Sequence, residues 1–241
     1  MISHARAAFA LIAFSGLLGS GLAGCYPRPV PYPGGNSHGD PNPWRTLYNG
    51  KDLSGWKPFL PDASADPSKT WFVNDTILCC TGSPAGYLAT TEEFTDFELE
   101  VDWRFDPKKG AGNSGVLLRV QKKDEVWPKS MEAQLQSGSA GDIWNIGDFP
   151  AKVDAARTNG RHTRMMGKPA EVPLGGWNHY RIVMDGGRLE LYVNGQLQNV
   201  ATDVERVPGR IALQSEGAWI EFGMVRIRPL KGDGTGRGYD R

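Results

Sequence analysis

This sequence has few cysteine and histidine residues and no net charge. It contains three Cys and four His among 241 residues, and 27 Lys and Arg balance 27 Asp and Glu. A chain without net charge is not drawn to nucleic acid or to anionic lipid surfaces, so we expect neither as a partner. The few Cys and His show no CxxC or related spacing, which argues against a zinc site. Heptads, internal repeats and clear helical patterns are also missing, so nothing supports a coiled coil or a repeat protein.

Residues 1–24 have the features of an export signal. A weakly basic start is followed by an apolar run from Ala7 to Leu18 and then by Leu22-Ala23-Gly24-Cys25. The run is too short to remain in a bilayer as a helix. The tetrapeptide resembles a bacterial lipobox, in which the cysteine becomes the acylated first residue, and this predicts lipidation of Cys25. We expect an exported domain anchored by this lipid alone to the cell membrane or outer membrane, facing the periplasm or exterior. A plain signal peptide is the alternative.

The rest of the chain divides into a tether, one domain and a tail. Residues 25–43 are rich in Pro and Gly without any hydrophobic period, which is typical of a tether. Residues 44–231 suit one large all-β domain, and residues 232–241 are expected to form a flexible tail. Within the domain, Cys79 and Cys80 are neighbours on a predicted strand and so point to opposite faces. This predicts two small buried side chains rather than a disulfide.

Hydrophobic and polar residues alternate with period two in several segments, which predicts strands with one face in a core. In residues 97–105 the odd-numbered positions are apolar, whereas Glu98, Glu100 and Asp102 form an acidic row on the other face. In residues 116–120 the even-numbered positions are apolar, and Arg119 shares the opposite face with Leu117. We interpret the acidic row as a solvated sheet face, with a Ca²⁺ or other divalent site as the alternative.

Residues 131–136 form the most informative alternating segment. The odd-numbered positions are apolar, whereas Glu132, Gln134 and Gln136 share the other face. Amide and carboxylate groups in such a row are suited to binding sugar hydroxyls. We therefore expect these three side chains to line a hollow across which a sugar ring lies.

The C-terminal third predicts a series of hairpins. Asp185-Gly186-Gly187 and Asn194-Gly195 separate alternating segments, and Asn and Gly tolerate the positive φ that tight turns need. Further strands are expected over residues 210–215 and 219–229. Many short strands with Gly-rich turns predict an all-β fold of two packed antiparallel sheets, either a jelly roll or another sandwich.

Short motifs spread from Leu47 to Leu230 resemble the 3-keto-disaccharide hydrolase family. In chain order the matching segments are LYNGKDLSGW (47–56), DFEL (96–99), NSGV (113–116), EAQLQ (132–136), GDIW (141–144), WNHY (177–180) and GRIALQSEG (209–217). Each segment is a weak signal alone, but their order and spacing together are specific. The resemblance implies a concanavalin/laminin-G-like jelly roll.

The resemblance also implies cleavage of a glycosidic bond in a sugar already oxidised to a ketone at C3. The ketone acidifies the C2 proton, so a carboxylate removes it, the glycosidic oxygen leaves C1, and water later adds to the enone. On this basis Glu132 and Glu216 are the candidate catalytic carboxylates, with Glu132 as the base or as a metal ligand. The candidate substrate-binding residues are Asn113, Arg119, Gln134, Gln136, Trp144, His179 and Gln214.

The charged candidates each have a structural interpretation that the sequence leaves open. Glu132 would then be a polar residue on a solvated sheet face. Arg119 would form a surface ion pair, and Glu216 would be a turn residue before Gly217.

The same holds for the uncharged candidates. Asn113 would begin a loop-to-strand turn, and Trp144 would anchor a Gly-rich loop rather than stack on a sugar. For His179 the structural interpretation, a neutral hydrogen-bonded histidine, is favoured over a role in catalysis.

Two functions from different classes follow, and both take carbohydrate as the ligand. The first is an enzyme that cleaves 3-keto-glycosides, with no certain cofactor and with a divalent metal, Ca²⁺ or another, left open. The second is a non-catalytic, lectin-like binding module on the cell surface, because the same jelly roll serves both purposes. Binding tolerates Glu132→Gln, whereas proton abstraction does not.

Overall fold

A computed structural model describes residues 42–230, which form two antiparallel sheets packed face to face. The back sheet has the order β14-β13-β12-β6-β16-β4-β3, with β1 paired to β16, and the front sheet has the order β10-β11-β9-β8-β7-β15-β5-β2. The strands are β1 Arg45–Thr46, β2 Trp56–Phe59, β3 Trp71–Asn74, β4 Ile77–Cys80, β5 Gly86–Thr90, β6 Phe97–Phe105, β7 Gly115–Val120, β8 Ser130–Gln134, β9 Ile143–Ile146, β10 Thr158–Asn159, β11 His162–Thr163, β12 Asn178–Asp185, β13 Arg188–Val193, β14 Gln196–Ala201, β15 Arg210–Ser215 and β16 Ile220–Pro229. The helical elements of these residues are two short 3₁₀ turns, Pro67–Lys69 and Ala155–Arg157. The predicted all-β jelly roll is confirmed.

The core lies between the inner faces of the two sheets. The odd-numbered residues of β6 face Met131, Ala133 and Leu135 across it, and all are buried. Burial of apolar surface is the main driving force for such a fold. The alternation predicted for residues 97–105 and 131–136 is therefore confirmed on its apolar side, and Glu132 and Gln134 lie on the outer face of the front sheet.

The alternation predicted for residues 116–120 is wrong at its end. Leu118 packs in the main core, but Val120 packs with Leu117 in a second cluster on the outer face of the front sheet. The cause is a β-bulge at Arg119, whose φ is 51°, opposite a register shift in β15. Gly209 packs against the bulge, where an added Cβ would lie 2.4 Å from the Arg119 carbonyl carbon. A bulge of this kind turns the following side chain to the other face.

The acidic row of β6 is covered rather than solvated, which corrects the sequence-based interpretation. Glu98, Glu100 and Asp102 are at most 5% exposed. Each is paired on the outer face of the back sheet: Glu98 with Arg181 and Arg228, Glu100 with Arg226, and Asp102 with His179. Arginine side chains from both neighbouring strands thus neutralise the row, which leaves no reason to place a cation there.

Cys79 and Cys80 are free and buried, as predicted from their alternation on β4. Burial raises the pKa of the Cys79 thiol to about 12 and that of the Cys80 thiol to about 11. Thiols with pKa values this high are inert as nucleophiles near neutral pH.

Several sequence-based predictions lie outside the described residues. These are the export signal of residues 1–24, the lipid on Cys25, most of the tether over residues 25–43 and the tail of residues 232–241. Within residues 42–230 there is no helix with the length and hydropathy needed to cross a bilayer.

Candidate functional site

A cavity of about 150 Å³ opens on the outer face of the front sheet. Its lining residues come from β8, β9, the end of β15 and nearby loops: Asn113, Trp127, Glu132, Gln134, Gln136, Trp144, Ile146, Arg161 and Glu216. Six of these were predicted from the sequence. The polar row of residues 132–136 therefore lines a hollow, as its alternation predicted.

Strand register brings the deepest polar groups of the cavity together. Gly115 on β7 pairs with Gln134 on β8, and on its other side β7 pairs with β15 so that Val116 is opposite Leu213. A Cβ on Gly115 would lie 2.4 Å from Glu132 Oε1 and 2.5 Å from Gln214 Oε1. The missing side chain at Gly115 therefore makes the space into which Glu132 and Gln214 project.

Glu132 is the most electrostatically perturbed carboxyl of the cavity. It is 5% exposed, so the interpretation as a solvated residue is wrong. Burial, followed by the charge of Glu216, raises its pKa to about 8, while Gln214 and Arg161 act in the opposite direction. Its Oε1 atom is buried and has no hydrogen-bond partner within residues 42–230. An unpartnered buried carboxyl is costly for stability, and such groups concentrate at functional sites.

Glu216 supplies the second carboxyl. It follows β15 directly and precedes Gly217, which has a φ of 79°, so both sequence-based interpretations, as site residue and as turn residue, describe its position. Burial raises the pKa of Glu216, and the charge of Arg161 lowers it. Two carboxyl groups and one guanidinium therefore share the cavity.

Amide groups provide neutral hydrogen-bonding capacity beside the carboxyls. Gln134 Oε1 accepts hydrogen bonds from the backbone N–H groups of Leu135 and Gln136, which fixes the orientation of the Gln134 amide. Gln214 is fully buried beneath the cavity beside Glu132, whose pKa it lowers as a hydrogen-bonding neighbour, and neither of its amide atoms makes a hydrogen bond of good geometry within the described part of the chain. Asn113 Oδ1 is also buried and has no hydrogen-bond partner within residues 42–230. These atoms are available to a ligand that brings hydroxyl groups.

Trp144 forms one wall of the cavity and lies on β9 rather than in a loop. Its ring stacks on that of His162 with centroids 4.4 Å apart and planes 10° from parallel. His162 Nε2 lies 2.6 Å from Asp142 Oδ2, and Asp142 Oδ1 accepts a hydrogen bond from Met165 N. The Arg161 guanidinium lies 5.3 Å from the Trp144 ring centroid. A buried carboxylate thus holds an aromatic stack at the edge of the site.

The structure does not bring Arg119 or His179 to the cavity, and their prediction as substrate-binding residues is corrected. The Arg119 guanidinium is buried and donates to the backbone carbonyls of Thr95, Gly186 and Glu205. The bulge at Arg119 turns it away from the outer face. His179 lies on the outer face of the back sheet, where its Nδ1 is 2.7 Å from Asp102 Oδ1, as the structural interpretation expected.

Sequence reasoning missed Gly115 as a spacer, Trp127 and Arg161. Gly115 belongs to the NSGV segment (113–116), and a glycine in a strand next to the polar row was a sign that other groups approach closely there. Arg161 lies in the turn between β10 and β11, a hairpin with strands of two residues each. Strands of two residues show no hydrophobic periodicity, so nothing in the local sequence identified Arg161 as a cavity residue.

The described residues do not offer a ligand set for a metal. Within residues 42–230 no three His, Cys, Asp or Glu side chains converge as a shared site would require. The cavity holds two carboxyls next to a guanidinium, a donor set that does not fit a carboxylate-rich cation site. The divalent metal therefore stays an untested expectation.

Similar folds occur in several solved structures. A Parabacteroides distasonis protein assigned to the glycosyl hydrolases matches with a TM-score of 0.58 at 21% identity, over 78% of this chain and 94% of that one. A β-glucanase of Bacillus licheniformis matches with a TM-score of 0.54 at 11% identity, over 77% and 97%. The carbohydrate-binding module CBM66 of Bacillus subtilis matches with 0.53 at 16%, over 71% and 94%. At these identities the matches define the class by fold alone: a concanavalin-like jelly roll.

The chain belongs to the family of 3-keto-alpha-glucoside-1,2-lyase-like domains, whose model matches residues 43–228. A curated relative, the 3-keto-disaccharide hydrolase of Bacteroides thetaiotaomicron, is 27% identical over 175 residues. That alignment covers 65% of this chain and 57% of the relative, so the chain spans little more than half the length of that protein. Family membership supports a carbohydrate-directed role of the glycosyl hydrolase type.

Proposed function

We propose that this protein cleaves the glycosidic bond of 3-keto-glycosides, with Glu132 as the base that removes the C2 proton. The observation that carries the proposal is a buried carboxyl with a pKa of about 8 in a cavity lined by amides, whose Oε1 atom has no hydrogen-bond partner of good geometry within residues 42–230. A base is most effective when its pKa lies near the working pH, because it is then both populated and strong. An ordinary exposed glutamate would be too weak a base for a carbon-bound proton.

The proposed reaction has an elimination and an addition. Glu132 takes the proton from C2, and the electron pair of that bond moves toward the C3 ketone to form an enolate. The enolate then re-forms the ketone, a double bond forms between C1 and C2, and the bond from C1 to the glycosidic oxygen breaks. The departing oxygen takes a proton from a carboxylic acid, for which Glu216 is the candidate. Water finally adds to the double bond: its oxygen bonds to C1 while Glu216 takes one of its protons, and Glu132 returns a proton to C2.

Other cavity residues are assigned to binding. Gln134, Gln214 and Asn113 present amide groups with free hydrogen-bonding capacity, which suits the hydroxyls of a sugar ring. Trp144 offers an aromatic surface, and Gln136 is exposed at the rim. These residues would hold the ring so that C2 faces Glu132.

The test is turnover of 3-keto-trehalose and of 3-keto-glucosides by the purified full-length protein, with release of free sugars as the readout. Wild type is expected to cleave these substrates and to leave unoxidised trehalose intact, because only the ketone acidifies the C2 proton. In heavy water it should also exchange the C2 proton for deuterium. Glu132→Gln is expected to lose both activities while retaining affinity for the sugar. Cleavage of unoxidised trehalose would instead indicate ordinary glycosidase chemistry.

The pH dependence separates the role of base from that of acid for Glu132. If Glu132 is the base, kcat/KM rises about tenfold per pH unit below its pKa and levels off above about pH 8. If Glu132 is the acid, activity falls above that pH instead. Affinity for the glycan without turnover of any 3-keto-sugar by wild type would favour the lectin-like module.

We also propose that the domain acts outside the cytoplasm, held by lipid on Cys25. The support is the Leu22-Ala23-Gly24-Cys25 motif at the end of an export-type leader. Replacing Cys25 with Ser should move the protein from the membrane fraction to the soluble exported fraction. Unchanged membrane association would refute the anchor.

A further inference from the structure

Arg161 occupies an unusual position in the cavity. It lies in the turn between β10 and β11, and its guanidinium is placed over Trp144. Arg161 is an exposed residue, and within residues 42–230 its side chain makes no hydrogen bond and no ion pair closer than 4 Å. Glu132, Glu216 and Arg161 line the same cavity, and the charge of Arg161 lowers the pKa of both carboxyls. The N–H donors of this guanidinium are therefore open to a ligand that enters the cavity.

We propose that Arg161 binds the oxygen on C3 of the sugar and stabilises the negative charge that this oxygen gains when Glu132 removes the C2 proton. The inference rests on the proposed function and adds a catalytic residue to it. It also specifies the substrate feature that the site recognises, namely the C3 carbonyl oxygen next to the acidic C2 carbon.

Charge development during the reaction explains why a cation is needed there. Proton removal from C2 places a negative charge on the C3 oxygen, next to the newly protonated Glu132. Neutral amides such as those of Gln134 and Gln214 stabilise such a charge less well than a charged donor does. Arg161 is the cationic residue of the cavity lining. Arginine also keeps its proton throughout, so it stabilises the oxygen without competing as an acid.

The aromatic stack positions this guanidinium. Asp142, which is 3% exposed, binds both His162 and the backbone N–H of Met165, and so fixes β11 directly after the turn that carries Arg161. His162 stacks on Trp144, and Trp144 underlies Arg161. Asp142 is therefore a positioning residue, which acts on the reaction through Arg161 without touching the sugar.

The test compares Arg161→Gln and Arg161→Lys with Arg164→Gln in the full-length protein on 3-keto-trehalose. Arg164 is an exposed arginine three residues along that is outside the cavity lining, so it is the matched control. Removing one charge-stabilising donor typically lowers kcat by about 10²- to 10³-fold, and we expect this for Arg161→Gln with a smaller change in KM. Arg161→Lys should recover part of the loss, and Arg164→Gln should stay within about twofold of wild type.

A second readout does not depend on turnover. Without the Arg161 charge, the pKa of Glu132 should rise, so the carboxyl carbon resonance of Glu132 should titrate at higher pH in Arg161→Gln than in Arg164→Gln. The acidic limb, over which kcat/KM rises to its plateau, should move to higher pH as well. Circular dichroism checks that both variants are folded.

A double-mutant cycle tests the positioning role. Asp142→Asn should lower kcat in the wild-type background but add little in the Arg161→Gln background, because both changes remove the same interaction. A purely structural role for Asp142 would lower kcat equally in both backgrounds.

The outcomes separate the two proposals. If wild type neither cleaves nor exchanges any 3-keto-sugar, the proposed function fails. If wild type is active and Arg161→Gln loses no more activity than Arg164→Gln, the proposed function stands and the role of Arg161 is refuted.

Discussion

Gly115→Ala should inactivate the site while leaving the fold intact. The added Cβ would lie 2.4 Å from Glu132 Oε1 and 2.5 Å from Gln214 Oε1, whereas ordinary contacts begin near 3.4 Å. The Glu132 carboxyl therefore has to move by about 1 Å. A displacement of that size at a reacting group costs on the order of 10²-fold in rate, so we expect a loss of kcat of about that size.

The same substitution should be tolerated structurally. The three obstructing atoms, Glu132 Oε1 and Cδ and Gln214 Oε1, are at the ends of side chains, and Gly115 does not have the positive φ that alanine avoids. Alanine in a strand is also favoured over glycine by about 0.5 to 1 kcal/mol, which offsets part of the strain. We expect Tm to change by no more than a few degrees.

The assay is kcat/KM on 3-keto-trehalose together with Tm from thermal unfolding. Gly167→Ala is the control, since its added Cβ would have no neighbour within 4 Å and its φ is not positive. Activity of Gly115→Ala within about twofold of this control would refute the assignment of Glu132. A large fall in Tm would refute the claim that the clash is confined to side-chain ends.

Three further predictions concern charge and metal. Glu132→Gln should raise Tm at pH 8 but not at pH 4. Because the pKa of Glu132 is about 8 in the folded protein and about 4.5 in the unfolded chain, the native state keeps a proton that the unfolded state releases, and wild-type stability falls as pH rises between these two values. Equal shifts of Tm at both pH values would contradict this. Arg119→Met should cost about 3 kcal/mol, measured by denaturant unfolding, because it removes the buried donors to the carbonyls of Thr95, Gly186 and Glu205. Asp96 keeps its pairing with Arg206, so the cost comes from the carbonyls, and a change below about 1 kcal/mol would show that these hydrogen bonds are dispensable. EDTA should leave turnover unchanged, and a loss restored by added Ca²⁺ would reveal a metal site that the side chains do not indicate.

Alternation allowed the central geometry of the cavity to be predicted from the sequence. In β8 a buried apolar face fixes the register, so Glu132 and Gln134 had to share the other face. The same logic failed in β7, because it assumes an unbroken strand and the bulge at Arg119 depends on the partner strand and on Gly209.

Long-range pairing limited the remaining predictions. Glu98 and Glu100 appear in the sequence as a solvated stripe, and their arginine partners lie 83 to 130 residues away. Arg161 reaches the cavity only because its hairpin pairs with β9. Periodicity carries no information about either contact, since both depend on which strands become neighbours.

The front sheet gives the two ends of the cavity different mechanical properties. Glu132 lies on β8, hydrogen-bonded on both sides within the sheet, whereas Arg161 joins two strands of two residues at its edge. Local opening is least costly at such margins. The position of Glu132 therefore depends on the strand ladder, whereas that of Arg161 depends on the contacts among Asp142, His162 and Trp144. Substitutions in those contacts should displace Arg161 while the base keeps its place over β8.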